Sequence, residues 1–182
     1  NWNSPQTVTV TGINDNLIDG PQSSTVTVSV VDASSADAFD ALADQTVSVT
    51  TADNDSAGLT LSRTSVTVSE ARTTQSFTLA LRAQPESDVV ISLVASDAGE
   101  ATVAPTSLTF TSANWNTAQT ATVTGVDDAL VDGVQSSSVT VAVVDGSSDD
   151  AFDAVADQIV AVSTADNDSD APPSIPPGFT LS

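Results

Sequence analysis

Valine alternates with serine or threonine in short runs along the chain: residues 7–11 (TVTVT), 25–30 (TVTVSV), 46–50 (TVSVT), 65–69 (SVTVS) and 138–143 (SVTVAV). A period of two places valine on one face of a strand and hydroxyl side chains on the other, which predicts half-buried β-strands. Less regular apolar runs predict further strands at 76–81, 89–94, 107–110, 121–124 and 159–163. Clusters of Asp, Asn, Gly and Ser separate the runs at intervals of about 8–15 residues, as turns require. Two segments break the alternation, residues 37–44 (DAFDALAD) and 150–157 (DAFDAVAD). One or two helical turns there would direct Phe39 with Leu42, and Phe152 with Val155, inward. Asp37, Asp40 and Asp44, or Asp150, Asp153 and Asp157, would then lie outside, as a solvated acidic loop or a secondary cation site.

The pattern also repeats. Residues 1–56 realign on residues 114–169 at a constant offset of 113, with 40 of the 56 positions identical. A period of that length is a whole domain, since solenoid units run about 20–50 residues. The chain therefore reads as the C-terminal half of one repeat (1–56), a complete repeat (57–169), a Pro-rich linker (170–177, DAPPSIPP) and the first strand of a further repeat (178–182, GFTLS echoing GLTLS at 58–62). The strand spacing predicts an all-β fold: tandem immunoglobulin-like, antiparallel β-sandwiches of about seven strands. Half a sandwich cannot cover its own apolar face, so 1–56 is expected to be completed by upstream sequence or by another chain through donor-strand addition. Proline-rich linkers extend at about 3.1 Å per residue, so 170–177 is expected to be a stiff spacer, in contrast to the short SAG junction at 56–58.

Composition narrows the partners. With 24 acidic residues against three arginines, no lysine and no histidine, the formal charge is −21. Such a surface repels phosphate backbones and anionic lipid, which argues against nucleic acid. No run approaches the roughly 20 apolar residues of a membrane span, so no membrane insertion is expected. Self-repulsion on this scale calls for screening salt or bound cations. Cysteine is absent, which excludes disulfides and thiolate metal sites.

The acids gather between predicted strands. Glu70 follows a strand, Asp97 and Glu100 lie in a turn, Asp127, Asp128 and Asp132 form VDDALVDG, and Asp166 and Asp168 form ADND. The half-repeat carries Asp15 and Asp19 in INDNLIDG, and Asp53 and Asp55 in a second ADND. Calcium takes about six to eight hard oxygens, and loops at one pole of a sandwich can supply them; magnesium's octahedral demand suits such a site less well. The alternative is that the acids only solubilise loops.

Several motifs carry a family resemblance: VSE at 68–70, Asp97-Ala98 in a turn, Gly125-Val126-Asp127-Asp128 with Asp132 four residues on, and a closing Asp166-Asn167-Asp168. With SLTF (107–110), ANWN (113–116), TVTG (122–125) and DALVDG (128–133), their order resembles Calx-beta domains, above all those in large bacterial surface proteins. The resemblance implies a calcium cluster at the C-terminal pole, with Glu70, Asp97, Asp128, Asp132, Asp166 and Asp168 as ligands and Asp127 as a candidate. Asp15, Asp19, Asp53 and Asp55 would be the corresponding ligands of the half-repeat. Asn167 stands where calcium-sensing members carry a third acid, and Asn14 where the second copy has Asp127. Fewer charges imply fewer ions or weaker binding, toward the millimolar range of extracellular modules.

These readings converge on a structural segment of a secreted or surface-attached protein, a calcium-stiffened spacer, stalk or filament at the cell surface. Its partners are neighbouring repeats, and identical chains if it builds a filament or matrix. The alternatives are an adhesive module for glycan or protein and a donor-strand-linked filament subunit. An enzyme is not expected, because histidine, cysteine and lysine are all missing, and paired carboxylates would need an aromatic-walled cleft from only seven aromatics. Trp2 and Trp115, each in an NWN frame, are expected at a core edge or as a sugar platform. The threonine rows Thr7-Thr9-Thr11 and Thr120-Thr122-Thr124 suit a solvated strand face, or ice or mineral. The sequons at Asn54 and Asn167 coincide with the ADND motif and are short enough to arise by chance.

Overall fold

The structure, a computed structural model, describes residues 3–169, in two compact units that meet between Ser56 and Ala57. Trp2, the linker 170–177 and the restarting strand 178–182 lie outside the described residues.

Among the described residues of the first unit one hairpin forms: β1 (Gln22–Val28) pairs antiparallel with β2 (Gln45–Thr51), Gln22 opposite Thr51 and Val28 opposite Gln45. The strand predicted at 7–11 is absent, and those residues carry no strand pairing. Alternation makes a strand possible, but backbone N–H and C=O groups need a neighbour, and the unit offers none on that side. The segment Asp37–Phe39 is a single 3-10 turn as expected, yet Phe39 and Leu42 are exposed rather than inward.

The second unit is a closed sandwich of nine strands: β3 (Leu59–Leu61), β4 (Ser65–Ser69), β5 (Thr74–Leu81), β6 (Val89–Ala95), β7 (Ala101–Ala104), β8 (Ser107–Phe110), β9 (Gln119–Gly125), β10 (Gln135–Val143) and β11 (Gln158–Ala165). One sheet has the order β4-β11-β10-β6-β8 and the other β3-β5-β9-β7. Seven of these strands match the predicted runs. β3 lies within GLTLS (58–62), the counterpart of the first strand expected at 178–182, and β7 is a short edge strand too brief to show alternation. All pairs are antiparallel except β4 with β11, which run parallel in the register Ser65 opposite Ala161.

The alternation becomes burial directly. Val66 and Val68 of β4, Phe77, Leu79 and Leu81 of β5, and Val160 and Val162 of β11 face the core, while the intervening Thr67 and Ala161 are exposed and Thr78 and Ala80 half-buried. Phe152, on a 3-10 turn at Asp150–Phe152, closes the sandwich between β10 and β11 and is fully buried. Asp149 anchors that turn: its carboxylate accepts N–H bonds from Glu86 (2.7 Å), Ser87 (3.0 Å) and Ala151 (3.0 Å). Trp115 is half-buried, the core-edge placement expected for it.

Candidate cation site

Four segments end at one pole of the second unit because of the strand directions. Glu70 leaves β4 beside Asp166 and Asp168 leaving β11, since those strands are parallel. The β6–β7 turn brings Asp97 and Glu100, and the β9–β10 loop brings Asp127, Asp128 and Asp132. Gly125 permits the approach: a Cβ there would overlap the Ser69 carbonyl oxygen and carbon, so only glycine lets β9 run against the residue that precedes Glu70.

Each loop is preorganised by its own backbone. Asp166 accepts N–H bonds from Asp168 (2.6 Å) and Gly133 (2.8 Å), the latter aimed by a left-handed φ of 74° at Gly133. Asp128 accepts from Leu130 (2.7 Å) and Asp97 from Gly99 (2.9 Å). The Glu100 carbonyl accepts from Val126 N–H (2.9 Å) and the Thr164 hydroxyl (3.3 Å), tying the β6–β7 turn to β9 and β11.

Two carboxylate groups result, Glu70 with Asp166 and Asp168, and Glu100 with Asp128 and Asp132, the ligand-capable oxygens of each lying within 4.8 Å of one another. Glu70 is only 1% exposed. One of its oxygens accepts from Asn167 N–H (3.1 Å), while Oε1, Glu100 Oε2 and Asp168 Oδ2 are buried with no hydrogen-bond partner. Burying an anionic oxygen without a partner is costly unless a cation compensates it. The electrostatics agree. The Asn167 N–H pulls Glu70 down, but burial and the charges of Asp166, Asp128 and Asp132 leave it titrating above its ordinary value. Burial, with Asp132, Asp97, Asp128 and Glu70, also pushes Glu100 up, and burial with Asp166, Asp127, Asp128 and Asp132 pushes Asp168 up. Asp166 is held down by the N–H bonds of Asp168 and Gly133. Asp128 and Asp132 raise members of both groups, so the groups form one negative basin. The donor set, hard carboxylate oxygens alone, fits a calcium-type ion.

Of the positions expected to hold metal, Glu70, Asp128, Asp132, Asp166 and Asp168 converge. Asp97 and Asp127 fall outside both groups: Asp97 caps its own turn, and Asp127 meets Arg72 at 3.9 Å and accepts from Asn167 Nδ2 at 3.2 Å. Glu100 joins the basin though the motif order did not select it. Its place in the same turn as Asp97 was the available signal, and the turn's direction decided between the two. In the first unit Asp53 accepts from Asp55 (2.8 Å) and Gly20 (2.9 Å), and Asp15 from Leu17 (3.0 Å), the same loop bonds as in the second copy. Yet Asp15, Asp19, Asp53 and Asp55 form no convergent group among the described residues. The partners that Glu70 and Glu100 provide in the second unit have no equivalent in 1–56.

No family model matches the chain, and no curated protein matches it. Among solved structures it is similar to the apo form of the Calx CBD1 domain, with a TM-score of 0.46 and 13% identity over 63% of this chain and 100% of that one. It is also similar to domains 1–6 of the surface layer protein SbsC (TM-score 0.47, 14% identity, 80% of this chain and 17% of that one). A third is the E. coli chaperone DraB (TM-score 0.44, 8% identity, 60% and 55%). The chain thus spans about half of DraB and less than a fifth of the SbsC structure. The immunoglobulin-like sandwich itself follows from the strand order above.

Proposed function

We propose that this chain is a structural repeat segment of a secreted or surface-attached protein, and that calcium stiffens it as a spacer, stalk or filament element. The observation that carries the reading is the acidic basin of the second unit. Carboxylates from four separate segments meet there, three of their oxygens are buried without partners, and no lysine or histidine exists in the chain to neutralise them. Glu70, Glu100, Asp128, Asp132, Asp166 and Asp168 would hold the ion. Bound there, it would tie the first long strand to the last and fix two loops against them. Near-identity of the two copies supports a spacer, since recognition loops ordinarily differ from one copy to the next. The absence of histidine, cysteine and lysine supports a non-enzymatic role.

An ion that binds only the folded form adds RT ln(1 + [Ca]/Kd), about 2.7 kcal/mol when calcium exceeds Kd a hundredfold. The test is thermal melting of the full chain in EDTA, in millimolar calcium and in millimolar magnesium, followed by circular dichroism. The expected result is a rise in Tm of several degrees in calcium, lost when Asp166 and Asp168 are both replaced by Ala. An unchanged Tm, together with no calcium heat in isothermal titration, would sink the proposal.

A further inference from the structure

Among the described residues Arg72 is the one cation set against the acidic pole. Of the chain's three arginines, Arg63 donates to the Gln75 side chain (3.2 Å). Arg82 lies along Gly58, in a cleft with Ala156 and Gln158 at the start of β11, the opposite end of that strand from Asp166 and Asp168. Arg72 Nη2 instead stands 3.9 Å from Asp127 Oδ2, the one arginine–carboxylate pair among the described residues.

The backbone puts it there. β5 and β9 pair with Thr74 opposite Thr124, and the Gly125 N–H donates to the Thr73 carbonyl (3.1 Å). Continued past the strand ends, that register brings residues 70–72 against 126–128. The turn between β4 and β5 is closed from Ser69 N–H to the Thr73 hydroxyl (2.8 Å) and from Thr73 N–H to the Ser69 carbonyl (3.3 Å). Within it Arg72 takes a left-handed φ of 58°, a conformation in which glycine, asparagine and aspartate are the usual residues. The backbone gives no reason for an arginine at that position; the contact of its side chain does.

Asp127 is in turn the acid of VDDALVDG that stays outside both carboxylate groups, although Asp128, its neighbour in the chain, belongs to one of them. Both of its oxygens are engaged: Oδ1 accepts from Asn167 Nδ2 (3.2 Å) and Oδ2 faces Arg72. Asn167 gives its own N–H to Glu70 Oε2 (3.1 Å). Contacts therefore run unbroken from Arg72 through Asp127 and Asn167 to Glu70, whose other oxygen is buried without a partner and aimed into the basin. Arg72 and Asp127 are 75% and 44% exposed, and an open pair of this kind adds little to stability. Its effect is on the charge and the reach of Asp127.

We propose that Arg72 is a built-in counter-cation that sets the calcium affinity of this pole: it neutralises Asp127 and holds that carboxylate out of coordination. The proposal rests on the calcium reading above. A guanidinium at the rim also repels a divalent ion directly, across a basin where charges are less screened than in open water. Both effects weaken binding, because affinity in calcium sites follows the number of ligand charges.

Isothermal titration with calcium chloride at constant ionic strength tests this on the full chain, comparing wild type with Arg72→Gln, Asp127→Asn and the double variant; melting in EDTA shows that each is folded. Arg72→Gln is expected to tighten binding at least about fivefold. Asp127→Asn is expected to weaken binding at least about fivefold more in the Arg72→Gln background than in wild type, because only there does Asp127 coordinate. Arg82→Gln makes the same charge change at the other end of the sandwich, beyond the screening length of about 8 Å, and leaves the Kd unchanged. An unchanged Kd in Arg72→Gln, or an equal gain in Arg82→Gln, would overturn the proposal. So would an equal loss from Asp127→Asn in both backgrounds, since charge alone would then explain it. The two readings fail separately. Calcium uptake by Arg72→Gln but not by wild type would uphold Arg72 as the closing residue and remove calcium stiffening from the natural chain, whereas uptake by neither would overturn both.

Discussion

Asp149 lets a single carboxylate be weighed against its own natural replacement. It is buried, and its three N–H bonds join the loop at residues 86 and 87 to the 3-10 turn that seats Phe152. The matching position in the other copy is Ala36, where the equivalent turn has no side-chain cap. Hydrogen bonds to a charged group contribute about 1.5–3 kcal/mol each, and backbone donors in loops regain water when the acceptor is lost. Three such bonds at their lower limit would sum to about 4.5 kcal/mol; with the freed donors regaining water, Asp149→Ala is expected to cost about 3 kcal/mol in total. At about 4 °C per kcal/mol for a unit of this size, the Tm falls by about 12 °C. Burial raises the carboxyl of Asp149, but the N–H bonds from Ser87, Ala151 and Glu86 outweigh it and the group titrates below the ordinary aspartate value. A depressed folded pKa gives stabilisation that is fully present above the unfolded value near ~3.9 and disappears as pH falls through the folded one. Urea denaturation of the full chain and of Asp149→Ala, followed by circular dichroism at pH 7 and at successively lower pH, measures both quantities. A difference below about 1 kcal/mol at pH 7, or one that stays constant through the acid range, would refute the reasoning.

Phe152→Ala is expected to cost about 3–5 kcal/mol by opening a cavity in a closed core, whereas Phe39→Ala changes stability by less than about 0.5 kcal/mol; urea midpoints of the two variants decide this. Gly125→Ala is expected to cost about 3 kcal/mol, since backbone lies where the new Cβ would go and neither strand can yield, and its thermal melt reports the loss. Glu100→Gln is expected to weaken calcium binding about tenfold in isothermal titration, while Asp44→Asn, on the exposed turn of the first unit, leaves it unchanged. In EDTA the sign reverses: Glu100 titrates above its ordinary value, so its charge opposes folding at pH 7 and protonation relieves it as pH falls. Glu100→Gln should then raise the Tm in EDTA at pH 7, with the gain vanishing at acid pH.

The strand positions were legible because alternation is a local property. Val66 and Val68, or Val160 and Val162, sit two residues apart, and once one face is buried the pleat fixes which side chains enter the core. The repeat and the acidic motifs were legible for the same reason. β7 was not, being four residues long and held by β9 rather than by its own pattern. Residues 7–11 show the converse: TVTVT has strand character, but without β5 and β7 alongside it has nothing to bond. Glu100 and Asp97 stand three residues apart in one turn, and only the turn's course sends Glu100 to Asp128 and Asp132 and leaves Asp97 capping Gly99.

By itself, then, the sequence determined an all-β chain, its 113-residue period, its excess of acids and the loops that carry them, because each of these is encoded within a few neighbouring residues or by copying. The tertiary structure decided which carboxylates share a basin and which apolar face is core. Those outcomes depend on strands far apart in the chain: Glu70 meets Asp166 only because β4 runs parallel to β11, and Phe152 is buried while Phe39 is not only because residues 57–113 cover one copy.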